Sequence, residues 1–260
     1  MIKRYKKHRD EYKLGVIGAG TSVLLYGFLR YVLAPIVKRL WVKNVEGLEN
    51  IPEKGPFIFA SNHESYFDFI CFWAVSPHSI QYLAAEKFYK SKFWKPLMVA
   101  TGQIKVERES SDKKGVHERA HYILKNEGVL GIYPEGTRSR TGEMGKAFTG
   151  VTKFALQARV PIVPVGMIGT FDILPPHKKF PNFKKCRIKI EKPIHHHEHY
   201  DKEYTEELLR HLTDELMKLI ATMVGKEYKH HYALQGGAKK HFAAPVSGNK
   251  IVEGELVSNS

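Results

Sequence analysis

The 260-residue sequence predicts an α/β fold in which a mixed, largely buried sheet is flanked by helices. From residue 44 onward, short apolar runs of strand length alternate with longer amphipathic segments, which is typical of α/β domains. Hydrophobic residues make up 43% of the chain and include 14 phenylalanines, enough for a substantial core. We therefore expect one α/β domain over residues 44–231, preceded by an N-terminal anchor at 1–43 and followed by a tail at 232–260.

The apolar runs and amphipathic segments predict the individual elements. The predicted strands are residues 57–60, 80–84, 103–106, 129–133, 162–167 and 186–190. The predicted helices are residues 112–126, 149–158 and 203–223. The tail is rich in small and polar residues without periodicity, and we expect it to be disordered. Open α/β sheets place ligand sites at the carboxyl ends of their strands, so polar residues that follow a strand become candidates for function.

The N-terminal region combines basic clusters with apolar residues. Residues 14–29 are uncharged, and sixteen residues at ~1.5 Å each form a helix of about 24 Å, shorter than a ~30 Å hydrocarbon core. A longer helix would enclose Arg30 and Pro35. We expect two short helices that dip into one leaflet and return, with their basic flanks among anionic headgroups. A single membrane span and a buried core helix are the alternatives.

The net charge indicates what kind of partner the chain binds, and the cysteine content indicates its redox compartment. The net charge is +14 with a sequence pI near 9.6, which indicates an anionic partner such as nucleic acid, an anionic membrane or a phosphorylated substrate. No nucleic-acid-binding motif is present, so nucleic acid is not the expected partner. Cys71 and Cys186 lack the spacing of a redox motif and are expected to be free, buried thiols in a reducing compartment.

A histidine and an aspartate follow the first predicted strand. His63 precedes Asp68 by five positions, a spacing that does not place two residues on one face of a continuous helix. If Ser65 is instead the N-cap of a helix, Asp68 occupies the third helical position and His63 can fold back from the loop onto its carboxylate. The product would be an oriented imidazole able to act as a base. The alternative is an aspartate that only caps the helix.

A second polar cluster follows the predicted strand at 129–133. Gly136 allows a tight turn, and Thr137 and Arg138 supply donors suited to a phosphate or carboxylate. Between the two clusters, Lys105 is expected on the strand face opposite its apolar neighbours, with Arg108 at the strand end. Both arginines could equally be solvated surface residues.

Three further features complete the set. Lys146 lies in a loop before the predicted helix at 149–158. Pro161 and Pro164 flank an apolar run, which suits an edge strand or a strand end. The histidine-rich run at 195–199 lacks a fixed ligand spacing, so we expect a solvated loop and no metal site.

Taken in order, four motifs resemble those of the glycerolipid acyltransferases. They are Asn62-His63-x4-Asp68, residues 102–108 (Gly-Gln-Ile-Lys-Val-Glu-Arg), residues 133–138 (Tyr-Pro-Glu-Gly-Thr-Arg) and residues 160–164 (Val-Pro-Ile-Val-Pro). They span roughly residues 55–170, and the size and basic charge are most similar to bacterial 1-acyl-sn-glycerol-3-phosphate acyltransferases. Tyr133 stands where the family usually has phenylalanine.

The resemblance implies transfer of an acyl group to the sn-2 hydroxyl of lysophosphatidate, giving phosphatidic acid. The acyl donor would be a thioester of acyl carrier protein or coenzyme A, with no other cofactor. His63 would be the general base and Asp68 its orienting carboxylate, without a covalent acyl-enzyme. The implied substrate-binding residues are Asn62, Lys105, Arg108, Glu135, Gly136, Thr137, Arg138 and Lys146.

Within that set the roles differ. Arg108 and Arg138 would hold the phosphate, since guanidinium groups match phosphate oxygens bidentately, and the two lysines would support them. Glu135 would orient Thr137 or bind a substrate hydroxyl, and Asn62 would position its loop. The resemblance also implies an N-terminal two-helix membrane-docking motif on the cytoplasmic face of the cell membrane. Glycerol-3-phosphate or another lysophospholipid is the alternative acceptor, and a basic membrane-binding module is the non-enzymatic alternative.

Overall fold

The computed structural model describes residues 26–92, 94–106, 113–200 and 202–228. Residues 1–25 of the predicted anchor, Arg108 and the predicted tail at 232–260 lie outside these ranges.

Seven strands of the described residues form one mixed sheet. They are β1 (Val42–Glu46), β2 (Phe57–Ser61), β3 (Ile80–Ala85), β4 (Ile104–Val106), β5 (Val129–Ile132), β6 (Ile162–Ile168) and β7 (Cys186–Ile190). The strand order is β1-β7-β6-β2-β5-β3-β4. Only β6 and β7 pair antiparallel, and the other neighbours are parallel. The predicted mixed sheet is therefore confirmed, and β2 lies in its centre.

Eight α-helices accompany the sheet in the described part of the chain. They are α1 (Ala34–Trp41), α2 (Tyr66–Val75), α3 (Lys87–Lys90), α4 (Trp94–Ala100), α5 (Lys113–Lys125), α6 (Gly150–Ala158), α7 (Thr170–Ile173) and α8 (Glu206–Val224). A π-helical turn, Leu29–Leu33, precedes α1, and short 3-10 turns occupy Leu48–Asn50 and His197–His199. The three predicted helices are confirmed as α5, α6 and α8.

The six predicted strands are also present, but β1 was not predicted. Its sequence, Val-Lys-Asn-Val-Glu, contains no apolar run. Val42 is its only fully buried residue, because the strand lies at the end of the sheet and needs to cover little of the core. An edge strand with charged residues is a common way to block further strand pairing.

The central strand β2 shows how the core is divided. All five of its residues are buried, and successive side chains point to opposite faces of the sheet. Phe57 and Phe59 join a core cluster with residues of α1 and α2. Ile58 and Ala60 join a second cluster with residues of α5, α6 and α8. Helices cover both faces, as a largely parallel sheet requires.

The proline-flanked strand β6 corrects one expectation. It lies between β7 and β2, so the prediction of an edge strand is wrong. Pro161 directly precedes the strand, in agreement with the alternative of a strand end. Pro164 is tolerated inside it because the β6–β7 ladder starts only at Val165, where β7 ends. Directly after β7, the main-chain oxygen of Pro164 accepts the amide of Glu191 at 3.0 Å, so the proline costs at most the one return bond of that pair.

Arg30, which interrupts the apolar N-terminal stretch, has a structural role. Its guanidinium donates hydrogen bonds to the main-chain oxygens of Trp73 and Ser76 at the C-terminal end of α2. A cation at this end satisfies free carbonyl groups and complements the helix dipole. Pro35 stands in the first turn of α1, where its missing N–H is not needed. Within the described ranges, no helix has both the length and the apolarity to cross a membrane.

Candidate active site

The site begins where β2 passes into α2. Ser65 is the N-cap of α2, with its hydroxyl accepting a hydrogen bond from the Phe67 amide at 3.3 Å. The amide of Ser65 donates in return to Asp68 Oδ2 at 2.8 Å. This reciprocal arrangement is the capping box predicted from the sequence. It leaves residues 62–65, which we call the His63 loop, at the carboxyl edge of the sheet.

His63 lies beside Asp68 as the spacing predicted. Its Nδ1 is 2.9 Å from Asp68 Oδ2, and the same oxygen accepts the amide of Glu64 at 2.7 Å. The other carboxylate oxygen accepts the hydroxyl of Thr170. Asp68 is completely buried, whereas the side chain of His63 is 17% exposed. With a proton on Nδ1 facing the carboxylate, Nε2 carries the lone pair that can accept a proton.

Two tyrosines support the imidazole ring. The His63 ring stacks on Tyr133 with centroids 3.9 Å apart and planes 13° apart. Tyr133 in turn stacks on Tyr82, with centroids 5.3 Å apart. Burial raises the pKa of both phenols, so they stay neutral. The ring of His63 is therefore fixed in plane as well as in direction. Tyr133 was noted in the sequence only as a departure from phenylalanine.

Glu135 has a different role from the predicted one. It is buried, and its two carboxylate oxygens accept the main-chain amides of His63 at 2.9 Å and Gly145 at 2.8 Å. The carboxylate thus joins the His63 loop to the segment at 133–149, which we call the Arg138 loop. Burial raises the pKa of Glu135 to about 7, although both amide bonds favour its charged form. Both carboxylate oxygens of Glu135 therefore hold the two loops together.

Asn62 likewise acts from behind the site. It is fully buried, and its amide group pairs with both main-chain groups of Met167, accepting from N at 2.8 Å and donating to O at 2.9 Å. This pairing ties the end of β2 to the end of β6. These contacts agree with the loop-positioning role expected for Asn62, and its assignment to the substrate stays a prediction.

A buried ion pair next to His63 was missed in the sequence. Glu64 is buried and pairs with Lys226, which follows α8. Lys226 also donates to the main-chain oxygen of Gly142 in the Arg138 loop. Burial raises the pKa of Glu64, while Lys226 opposes that shift. One lysine from the far end of the domain therefore holds both loops. The only sequence signal was the acidic residue next to His63.

Arg138 lies close to His63. The amide of the following residue, Ser139, donates to the main-chain oxygen of His63 at 2.7 Å. The guanidinium carbon of Arg138 lies 3.5 Å from the centroid of the Tyr66 ring, at the first position of α2. Among the described residues, no carboxylate forms an ion pair with it. A half-buried guanidinium oriented by an aromatic ring can bind an incoming anion.

Other residues of the Arg138 loop reach the surface. Gly136 adopts a φ of +68°, and a Cβ there would come within 2.9 Å of the Phe148 ring, so glycine is required at this turn. Gly136 is exposed, whereas Thr137 and Lys146 are half-buried. The loop that carries Arg138 therefore also contains three other residues predicted to bind the substrate, Gly136, Thr137 and Lys146.

Lys105 lies at the end of the sheet. Its strand β4 is three strands from β2, which corresponds to about 14 Å between the two strands. Its ammonium group forms an ion pair with Glu86 at 3.3 Å. The supporting role of Lys105 at a phosphate stays a prediction, and Arg108 lies outside the described residues.

The histidine-rich run lies apart from this site. The rings of His195 and His197 stack with centroids 4.8 Å apart, and His199 lies 3.3 Å from Glu198. Across the described ranges, no group of three or more His, Cys, Asp or Glu side chains is placed to hold a metal ion.

Sequence comparison finds a family model and curated relatives that this chain resembles. Residues 43–168 match the model of the Acyltransferase family, which confirms the resemblance seen in the motifs. A chloroplastic 1-acyl-sn-glycerol-3-phosphate acyltransferase of Arabidopsis thaliana is 27% identical over 185 residues, covering 66% of this chain and 52% of the relative. The 1-acyl-sn-glycerol-3-phosphate acyltransferase of Pseudomonas aeruginosa is 30% identical over 173 residues, covering 55% of this chain and 65% of the relative. The chain thus spans about half to two thirds of these curated relatives.

A solved structure shares the fold. The crystal structure of the 1-acyl-sn-glycerophosphate acyltransferase PlsC from Thermotoga maritima superimposes with a TM-score of 0.62 at 21% sequence identity. The match covers 88% of this chain and 96% of that one. It confirms the α/β fold class.

Proposed function

Because residues 43–168 match the acyltransferase family, we propose that the protein transfers an acyl group from a thioester to the sn-2 hydroxyl of lysophosphatidate. The product would be phosphatidic acid. The observation that carries this proposal is the 2.9 Å contact between His63 Nδ1 and the buried carboxylate of Asp68. The names of the two relatives above support the choice of acceptor.

The chemistry follows from the orientation of the imidazole. Nε2 of His63 takes the proton of the acceptor hydroxyl as its oxygen attacks the thioester carbonyl carbon. Asp68 stabilises the imidazolium that forms. The tetrahedral intermediate then expels the thiolate, which recovers the proton from His63. The substrate hydroxyl is the nucleophile, so the protein needs no serine or cysteine for a covalent intermediate.

Arg138 is our candidate for the acceptor phosphate. Its neighbour Ser139 is hydrogen-bonded to the main chain of His63, and its guanidinium lies over the ring of Tyr66, the first residue of α2. A fork of N–H donors matches phosphate oxygens in pairs. Thr137 and Lys146 are further candidates in the same loop, and Arg108 remains a proposal from the motif alone. The donor would be a thioester of acyl carrier protein or coenzyme A.

We place this reaction at a membrane surface, on its cytoplasmic face. Helix α1 and the residues from Phe28 to the start of that helix expose apolar side chains, including Tyr31 at 69%, Phe28 at 57% and Ile36 at 47%. Lys38, Arg39 and Lys43 follow them at the surface. Apolar residues bordered by cations are typical of segments that lie in a membrane interface.

Replacing His63 with alanine tests the proposal. Acyl transfer should fall by about 10²–10⁴-fold, the contribution of a general base, while thermal unfolding stays close to wild type. The assay would offer lysophosphatidate, glycerol-3-phosphate and a neutral lysophospholipid, each with both donor types. Substantial turnover by folded His63→Ala would exclude this base. Preference for another acceptor would reassign the substrate, and no transfer by wild type would favour a membrane-binding module.

A further inference from the structure

The loop between α7 and β7, residues 174–185, exposes two aromatic rings among cations. Phe180 is 82% exposed and Phe183 is 83% exposed, more than any other large hydrophobic residue in the described ranges. Lys178, Lys179, Lys184 and Lys185 flank them, and all are exposed. The loop contains no acidic residue. Two adjacent exposed rings differ from the single apolar residues scattered over most protein surfaces.

Hydrogen bonds to Asn182 hold this loop in a defined shape. The amide of Asn182 donates to Ile173 O at 2.7 Å, and its side chain donates to Asp172 O at 2.8 Å. Its Oδ1 accepts from Lys178 Nζ at 2.9 Å, and its main-chain oxygen accepts from Trp41 Nε1 at 3.0 Å. Four hydrogen bonds at Asn182 therefore fix the main chain between the exposed rings of Phe180 and Phe183.

Trp41 connects the loop to the N-terminal helix. Its ring stacks on Phe183 at 6.4 Å and meets Phe67 edge-on at 5.1 Å. Trp41 ends α1, whose residues Ile36 and Leu40 are exposed. The loop at 174–185 thus continues the apolar surface of α1. Trp41 also connects this surface to Phe67 of α2.

The loop is also attached directly to the candidate active site. Its first residue, Leu174, accepts the hydroxyl of Ser65 at its main-chain oxygen, at 2.9 Å. The helix before it, α7, supplies the Thr170 hydroxyl that binds Asp68. The start of the loop therefore lies close to the imidazole of His63 and the carboxylate of Asp68.

We propose that residues 174–185 form a second membrane contact, which inserts Phe180 and Phe183 into the interface of an anionic phospholipid bilayer. Aromatic rings are stable at the boundary between headgroups and acyl chains. The four lysines would lie among lipid phosphates, and the absence of acidic residues makes the loop complementary to that surface. This inference goes beyond acyl transfer, because it requires binding alone.

A fluorescent probe tests contact directly. Cys71 and Cys186 are completely buried, so an environment-sensitive thiol label on Phe180→Cys reports that position alone. Leu48→Cys is the matched control, since Leu48 is 39% exposed and follows β1 as it runs away from the loop. With vesicles of phosphatidylcholine and phosphatidylglycerol, emission from position 180 should shift to shorter wavelength and that from position 48 should not. Equal emission with and without vesicles at position 180 would overturn the proposal.

Sedimentation with the same vesicles measures the contribution of each side chain. Phe180→Ser should weaken binding of the full chain by about tenfold, the effect of removing one buried aromatic ring, and Leu48→Ser should not. Lys179→Ala with Lys184→Ala should weaken binding to anionic vesicles by roughly 25-fold, at about fivefold for each lysine. The control pair Lys192→Ala with Lys218→Ala removes equal charge from two exposed sites elsewhere.

The lysine pair should have no effect on neutral phosphatidylcholine vesicles. Equal losses for the two lysine pairs on anionic vesicles would show that net charge, and not this loop, sets binding. Phe180 makes no aromatic stacking contact within the described residues, so Phe180→Ser keeps the test independent of the Trp41–Phe183 contact. These measurements need no turnover, and they stay informative if acyl transfer to lysophosphatidate is not the activity.

Discussion

The His63 loop and the Arg138 loop follow neighbouring parallel strands at the same edge of the sheet, yet they differ in how much of each is exposed. In the His63 loop, Asn62, Glu64 and Ser65 are buried and their polar groups are hydrogen-bonded. In the Arg138 loop, Gly136, Arg140 and Glu143 are exposed. A base must be fixed in direction, whereas a site for a charged lipid must admit it from outside. In the proposed function, the first loop would carry the base and the second would bind the phosphate.

Asp68→Asn is the strongest test of the fixed loop. An asparagine can keep an oxygen toward the two amides and His63, and it can donate its NH2 group to the Thr170 hydroxyl. The fold should survive, but the charge that stabilises the imidazolium is lost. We expect kcat to fall by roughly 10²–10⁴-fold. A kcat within tenfold of wild type, measured with saturating substrates, would show that Asp68 only caps the helix.

Lys226→Met tests the residue that holds both loops. The change leaves Glu64 buried without its cation, and we expect the free energy of unfolding to fall by about 2 kcal/mol at about pH 8. Burial already raises the pKa of Glu64, and loss of Lys226 raises it further. As pH falls, protonation of Glu64 removes the buried charge. The difference in unfolding free energy between wild type and Lys226→Met should therefore shrink toward about pH 5. Urea unfolding at both pH values measures it.

The double variant Glu64→Gln with Lys226→Met is the control for this pair. It removes both charges and should recover most of the stability, because the larger cost comes from one unpaired charge. An equal deficit for Lys226→Met at both pH values would exclude Glu64 as the cause.

Arg138→Ala tests the Arg138 loop. The KM for lysophosphatidate should rise by about 10–100-fold, the value of a hydrogen bond to a charged group, with kcat changed much less. Arg138→Lys keeps the charge but loses the paired donors, so its KM should be intermediate. An unchanged KM in steady-state kinetics would remove Arg138 from the phosphate site.

Tyr133→Phe should have the smallest effect, although Tyr133 stands at the base of the Arg138 loop. The phenylalanine ring keeps the stacking on His63, so kcat/KM should stay within about threefold. Tyr133→Leu removes the aromatic face and should lower kcat/KM further. If Tyr133→Phe lost more than tenfold, the phenol itself would take part in the reaction.

The sequence predicted the parts of the site that depend on local spacing. His63, Ser65 and Asp68 are within six residues, and the requirements of a helix N-terminus alone bring them together. The alternation of apolar runs also predicted six of the seven strands. The mixed-charge edge strand β1 was missed because it carries no apolar run.

Contacts distant in sequence could not be predicted in the same way. Asn62 pairs with Met167 across 105 positions, and Thr170 binds Asp68 across 102. Nothing in the local pattern of any of these residues indicates its partner, because the pairing depends on strand order. For the same reason Glu135 was assigned to the substrate, although the fold turns its carboxylate toward two buried amides.

The Lys226–Glu64 ion pair also has a consequence for folding of the chain during translation. The two residues are 162 positions apart. At about 5–20 residues per second, roughly 10–30 s pass between their emergence during translation. Until then Glu64 lacks its cation and the Arg138 loop lacks a tie at Gly142. A chain truncated before residue 226 would therefore contain every proposed catalytic residue but would lack the lysine that holds the two loops together.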